Sequence, residues 1–156
     1  MSRRSVLLDL AVSNAFVSQL FDQELLRAGI QPAQVGILTL VREAEPVTPT
    51  HLEERSGVAG GTLRGHVRQL LRDGLVARRP NADDARSYFL VTTPQARTLL
   101  ARARPVLRRV ERMLDGALAG SLEDYRGALA DLESAARALL ERPVPGSAGT
   151  RTSGPW

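Results

Sequence analysis

Residues 60–92, GGTLRGHVRQLLRDGLVARRPNADDARSYFLVT, decide the fold. From Thr62 to Leu71 the residues Leu63, Val67, Leu70 and Leu71 fall at i, i+4, i+7 and i+8, which is one stripe of a helix. Arg64, Gly65, Arg68 and Arg72 fall on the opposite side, so one face is apolar and the other carries guanidinium groups. Gly74 supplies the positive φ that ends such a helix. LVARR (75–79) and SYFLVT (87–92), rich in β-branched and aromatic residues, flank the turn-forming PNADDA. A helix followed by a hairpin, with Arg78 and Arg79 at the hairpin base, predicts a winged helix-turn-helix.

Upstream, PVTPTHLEERSG (46–57) offers Val47 as a short strand and Thr48 as a cap. Pro49 opens a short helix anchored by Leu52, and Gly57 closes it. Its spacing from the 60–74 segment is that of a helix-turn-helix whose first helix braces the second. Residues 32–44 form another helix, with Val35, Leu38 and Val41 inward. Residues 5–28 read as a long helix with apolar residues on more than one side, so a partner subunit or a wrapping helix must cover it.

Downstream, Thr93 and Pro94 cap and open a fifth helix rich in Leu, Ala and Arg. Pro105 inside it predicts a kink, and Gly116 and Gly120 its end. Ser121 to Asp124 match a capping box for a sixth helix, with Tyr125, Leu129, Leu132, Ala136 and Leu139 as its stripe and its end near Arg142. Residues 143–156 are rich in Pro, Gly, Ser and Thr and read as a disordered tail. The expected class is mainly α with a small β-hairpin wing.

The 156 residues suffice for one domain or two small lobes. With no cysteine, disulfides, thiolate zinc sites and thiol redox sensing are excluded, which suits the cytoplasm. Asp9 interrupts the apolar start too early for a signal peptide, and the longest charge-free stretch, 28–41, is too short and polar to span a membrane. All basic residues are arginine. Residues 1–54 carry 4 Arg against 7 acids, 55–86 carry 7 against 3, and 87–156 carry 10 against 7, so a basic segment follows an acidic one. That distribution is the footprint of a nucleic-acid reader. His51 and His66 stand apart with no carboxylate cluster between them, so neither a metal site nor a catalytic set is expected, and no cofactor or enzyme activity either.

Arg64 and Arg68, one turn apart and pointing away from the core, suit bidentate pairing with guanine in a major groove. Thr62 adds a hydroxyl, and Gly65 a close approach. Gly60 and Gly61 present free amides at a helix start, either a phosphate site or a loose helix end. Arg78 and Arg79 suit phosphate contact. The bland alternatives are a solvated helix face and ordinary surface ion pairs. A winged helix serving protein interaction or dimerisation without DNA is the competing reading, and the outward arginines favour DNA over it.

Over about residues 5–141 the chain resembles the MarR family of bacterial transcriptional regulators. Ile30 and Gln34 stand where that family has LTxxQ, and VTPTHLEERSGV (47–58) resembles its LTxxELAxxxGV. Thr62, Leu70 and Gly74 to Val76 match its TxxxxxxxLxxxGLV, Asp84 to Arg86 its DxR, and Thr93 to Ala96 its LTPxG. Gly60-Gly61, His66 and Ala96 depart from the pattern. The resemblance implies a single domain over 1–142, with dimerisation helices at 5–28 and 93–141 and a winged helix-turn-helix at 32–92. It implies a homodimeric repressor on a pseudo-palindromic double-stranded operator. It implies that Arg86 enters the minor groove while Asp84 holds its guanidinium and the turn. It also implies a small anionic or aromatic effector between the lobes, for which Asn14, Ser18, Gln34 and Arg97 are the candidates and Pro105 the hinge.

Overall fold

Helix ends fall where the sequence supplies caps and breakers. The computed structural model describes residues 5–82, 84 and 86–141. In order these form α1 (Val6–Arg27), α2 (Pro32–Ala44), α3 (Pro49–Ser56), α4 (Gly60–Arg72), β1 (Val76–Pro80), β2 (Tyr88–Thr92), α5 (Pro94–Ala117) and α6 (Leu122–Leu140). The Thr48 side chain accepts a hydrogen bond from the His51 amide at the start of α3, and Gly57 closes that helix at φ 63°. Gly74, at φ 67°, turns the chain from α4 into β1. Gly116 lies inside α5, one residue before its end, so the turn into α6 begins later than the glycine suggested. The capping box at Ser121 and Asp124 is present in both directions. The expected helix end near Arg142 and the tail at 143–156 lie outside the described residues.

The chain divides into two units, Met1–Arg112 and Met113–Trp156. In the first, β1 and β2 pair antiparallel from Val76 opposite Thr92 to Pro80 opposite Tyr88, and Val47 adds an isolated bridge to Leu90. The α4 stripe of Leu63, Val67 and Leu70 packs with Leu38, Val41, Leu52 and Leu90 into the main core. A second cluster of Leu25, Ile30, Val35, Ala103 and Val106 joins the end of α1 to α2 and α5. Most of α1 lies outside both clusters: Val6 is 77% exposed and Phe16 69%. In the second unit α6 has no buried residue, and Leu129 and Leu139 are exposed.

Two acids of the front third are spent on structure. Glu24 is buried, and its carboxylate is shared between Arg27 on the same helix and Arg109 on α5. Burial pushes the Glu24 carboxyl up, but the hydrogen bonds and charges of the two arginines outweigh it and hold the group below its ordinary value. Glu45, just past α2, accepts from the Thr92 amide at 2.5 Å and pairs with Arg42. Burial again raises, the hydrogen bonds prevail, and the carboxyl is lowered.

Carboxyls held below their unfolded values stabilise the native state fully above about pH 4.3 and lose that contribution as pH falls through the lower folded value. Thermal unfolding of Glu24→Gln should therefore give a lower Tm than the parent near neutrality, with the gap narrowing below about pH 4. A gap independent of pH would show that Glu24 acts through shape rather than charge.

Candidate nucleic-acid interface

Burial of one side of α4 dictates what the other side presents. Leu63, Val67 and Leu70 are at most 4% exposed, whereas Thr62, Arg64, Arg68 and Arg72 on the remaining arc are exposed. Gly65 is half-buried, and His66 lies part-way into the packing behind the helix. Both Gly60 and Gly61 belong to the first turn of α4, and the Ala59 side chain offers no cap to it.

The hairpin alternates, as strands must. The Arg78 guanidinium lies 4.4 Å from the Tyr88 ring centre, and that of Arg79 lies 5.7 Å from Phe89. Neighbours in β1, the two arginines take opposite faces of the hairpin. Only Arg78 joins Arg64 and Arg68, in a cleft walled by Pro49, Thr50 and Glu53 of α3 and by Tyr88. A second cleft, sharing Pro49, Thr50 and Tyr88 with the first, is lined by Thr48, Asn81, Asp84, Arg86 and Ser87. Arg64, Arg68, Arg78 and Arg86 make no ion pair among the described residues.

Asp84 holds the wing differently from the expectation. Its carboxylate accepts from the backbone amide of Arg86 at 2.9 Å, and its carbonyl accepts from the Ser87 amide at 3.0 Å. The turn is thereby fixed while the Arg86 side chain stays free of Asp84, because two residues of separation favour this local carboxylate-to-amide turn. Asn81 closes the base of the loop by donating to the Ser87 hydroxyl at 3.2 Å.

The four residues expected at an effector site do not converge. The Gln34 side chain donates to the Asp73 carboxylate at the end of α4 at 2.8 Å, and Gln69 donates to the other oxygen at 2.7 Å. Arg97 donates to the Thr92 carbonyl at 3.0 Å. Asn14 and Ser18 are exposed on α1. A cleft does open at Gln34, but its other walls are Asp73, Leu75, Gln95, Thr98, Leu99 and Arg102.

Sequence reading missed Thr50, Glu53, Asn81 and Tyr88. The period of two in β1 could have separated Arg78 from Arg79, and Tyr88 is the one aromatic in reach of Arg78 once the hairpin register is set. No comparable signal marked Glu53. Among the described residues no group of His, Cys, Asp or Glu could hold a metal ion, and no helix is long and apolar enough to cross a membrane.

A short bracing helix, a second helix with an outward cationic face and a two-stranded wing define a winged helix-turn-helix protein. The family model of the MarR family matches residues 28–87. The HTH-type transcriptional repressor YetL of Bacillus subtilis is 32% identical over 79 residues, 49% of this chain and 47% of its own length. The HTH-type transcriptional regulator YdgJ of the same organism is 25% identical over 104 residues, 67% of this chain and 62% of its own length. The chain thus spans less than two thirds of either relative. The M. tuberculosis transcriptional regulator MosR, solved in complex with DNA, superposes with a TM-score of 0.73 at 26% identity, covering 87% of this chain and 98% of that one. The chain thus has the winged-helix fold of these regulators and is similar to the MarR family over residues 28–87.

If Gln34 ties α2 to the end of α4, Gln34→Ala and Asp73→Ala should each destabilise by about 1 kcal/mol, and the double variant by less than their sum. Strictly additive losses in urea unfolding would show that the two side chains do not act through each other.

Proposed function

We propose that the chain is a sequence-specific, double-stranded DNA-binding transcriptional regulator, working in the cytoplasm as a homodimeric repressor and not as an enzyme. The observation that carries this reading is the single cleft shared by Arg64, Arg68 and Arg78, with Arg86 lining the adjoining cleft. A major groove admits α4, and its arginines have the fork geometry that matches guanine O6 and N7. Arg78, stacked on Tyr88, is a fixed cation beside that helix and suits a phosphate. Arg86, on a wing turn braced by Asp84, suits a narrow minor groove. The DNA complex of MosR and the repressor name of YetL support the same assignment.

A second copy of the chain is the natural cover for the apolar residues of α1 and α6. Val6, Leu7 and Phe16 are each more than half exposed, as are Leu129, Leu139 and Leu140. Exposed apolar surface along each of these helices marks a surface that associates. A dimer would place two recognition helices on a pseudo-palindromic site with half-sites about 10 bp apart or a multiple of it. The region 1–142 then works as one domain, with 5–28 and 93–141 serving dimerisation and 32–92 serving DNA. A small anionic or aromatic effector would find in the cleft at Gln34 both a cation, Arg102, and the link to the end of α4.

Duplexes selected from a random pool and measured by fluorescence anisotropy test the reading. Arg64→Ala or Arg68→Ala should cost about 1–3 kcal/mol and relax preference at particular bases. Arg78→Ala should weaken all sequences alike and reduce the salt slope by about one unit, whereas Arg79→Ala, on the other hairpin face, should change the slope less. Failure to select any sequence would defeat specific recognition. Sedimentation of the full chain should show a dimer, and deletion of 121–156 should abolish dimer and operator binding together. A folded monomer that still holds its operator would defeat the dimeric reading.

A further inference from the structure

We propose that Glu53 is a built-in competitor of the DNA backbone, an anion seated at the start of the recognition helix that weakens binding on every sequence. The proposal rests on the DNA-binding reading above. Glu53 lies on α3 and lines the same cleft as Arg64, Arg68 and Arg78. Its position against α4 is defined by Gly60: a Cβ built there would lie 2.6 Å from the Glu53 carboxyl carbon and closer still to both oxygens. No real Cβ sits so near another atom, so the glycine leaves a space that the carboxylate fills.

Helix electrostatics favour this placement. The first turn of α4 leaves its amides without intrahelical partners and carries the positive end of the helix dipole. Ala59 supplies no side-chain cap, so a carboxylate close to Gly60 meets an otherwise uncompensated positive end. The charge is not already cancelled by the arginines. Among the described residues the Glu53 carboxylate has no hydrogen bond and no ion pair, and only its backbone carbonyl is engaged, by Ser56 and Gly57.

An alanine at 53 would leave the helix start open to a phosphate, and a side chain at 60 would push the carboxylate out. With Glu53 and Gly60 together, the protein's own anion holds the place that suits a phosphate best. A DNA backbone reaching α4 must meet like charge or displace it. That cost does not depend on base sequence.

Glu53→Gln keeps the shape and removes the charge. Glu54→Gln, one residue on and paired with His51 at the surface, removes the same charge from the same helix away from Gly60. Wild type and both variants are titrated by anisotropy with a labelled mixed-sequence duplex, between about 50 and 200 mM salt. Glu53→Gln should bind about fivefold tighter at the low end, with a salt slope steeper by up to about one unit as one more phosphate is engaged. Glu54→Gln should stay within about twofold of wild type. Glu53→Ala should reproduce the gain, and matching Tm values confirm intact folds. No gain from Glu53→Gln overturns the proposal, and so does an equal gain from Glu54→Gln, which would reduce it to overall charge. If no protein binds the duplex even at about 50 mM salt, the DNA-binding reading itself falls and takes the proposal with it.

Discussion

What α4 presents outward is set by the burial of Leu63, Val67 and Leu70 against α2, α3 and the hairpin. Three such side chains contribute roughly 5–8 kcal/mol when removed from water. Against this, α4 carries glycine at 60, 61 and 65, each costing about 1 kcal/mol relative to alanine in a helix interior. Tertiary burial wins, and so a segment of poor intrinsic helicity holds a 13-residue helix. The rotation of that helix about its axis is then no longer free. With the stripe inside, Arg64 and Arg68 can point only into the cleft beside the wing.

Much of this is legible in the chain, because local chemistry is local. Thr48 before Pro49, Gly57, Gly74 and the Ser121 to Asp124 box each mark a boundary through a hydrogen bond or a φ value that needs only neighbours in sequence. The excess of apolar residues on α1 was equally plain, since residues on more than one side of a helix could not all face one core. Partnerships across the fold were not legible. Gln34 meets Asp73 across 39 residues and Glu24 meets Arg109 across 85, and neither pairing is visible before helices are docked. Gln34 therefore read as an effector candidate, with no sign of its hydrogen bond to Asp73. Glu53 escaped for a related reason. It and Gly60 are close in sequence, but only the angle between α3 and α4 brings the carboxylate to the glycine.

The acids Glu24 and Glu45 of the front third pair with arginines of that third and of α5, not with those of the basic middle. Glu24 takes two arginines, Glu45 takes Arg42, and Glu53 enters the arginine cleft without pairing. Net charge in a window of sequence thus overstates what the surface offers an anion. On the proposed reading, the cations of use to DNA are those the fold leaves unpaired. Arg64, Arg68, Arg78 and Arg86 are of that kind among the described residues, whereas Arg109 is committed to the junction of α1 and α5.

The two ends of α4 are held in contrasting ways. An acid near the N-terminal end of a helix is favoured by the dipole, and one at the C-terminal end is opposed by it. Glu53 occupies the favoured end without a hydrogen bond, so its hold is electrostatic and open to competition. Asp73 occupies the opposed end and is retained by the two glutamine amides of Gln34 and Gln69, at 2.8 and 2.7 Å. At this partly exposed carboxylate two hydrogen bonds of about 1 kcal/mol each outweigh a dipole penalty of about 0.3–1 kcal/mol. The helix is therefore pinned at its C-terminal end to α2, and its N-terminal half, which carries Arg64 and Arg68, is where the proposed exchange between a polyanion and the Glu53 carboxylate would take place. A shift of α2 relative to the wing reaches α4 through the shared core of Leu38, Val41, Leu63, Val67 and Leu70 and through Gln34 and Asp73 at its end, so the brace is one of two links from α2 to the helix that carries the arginines.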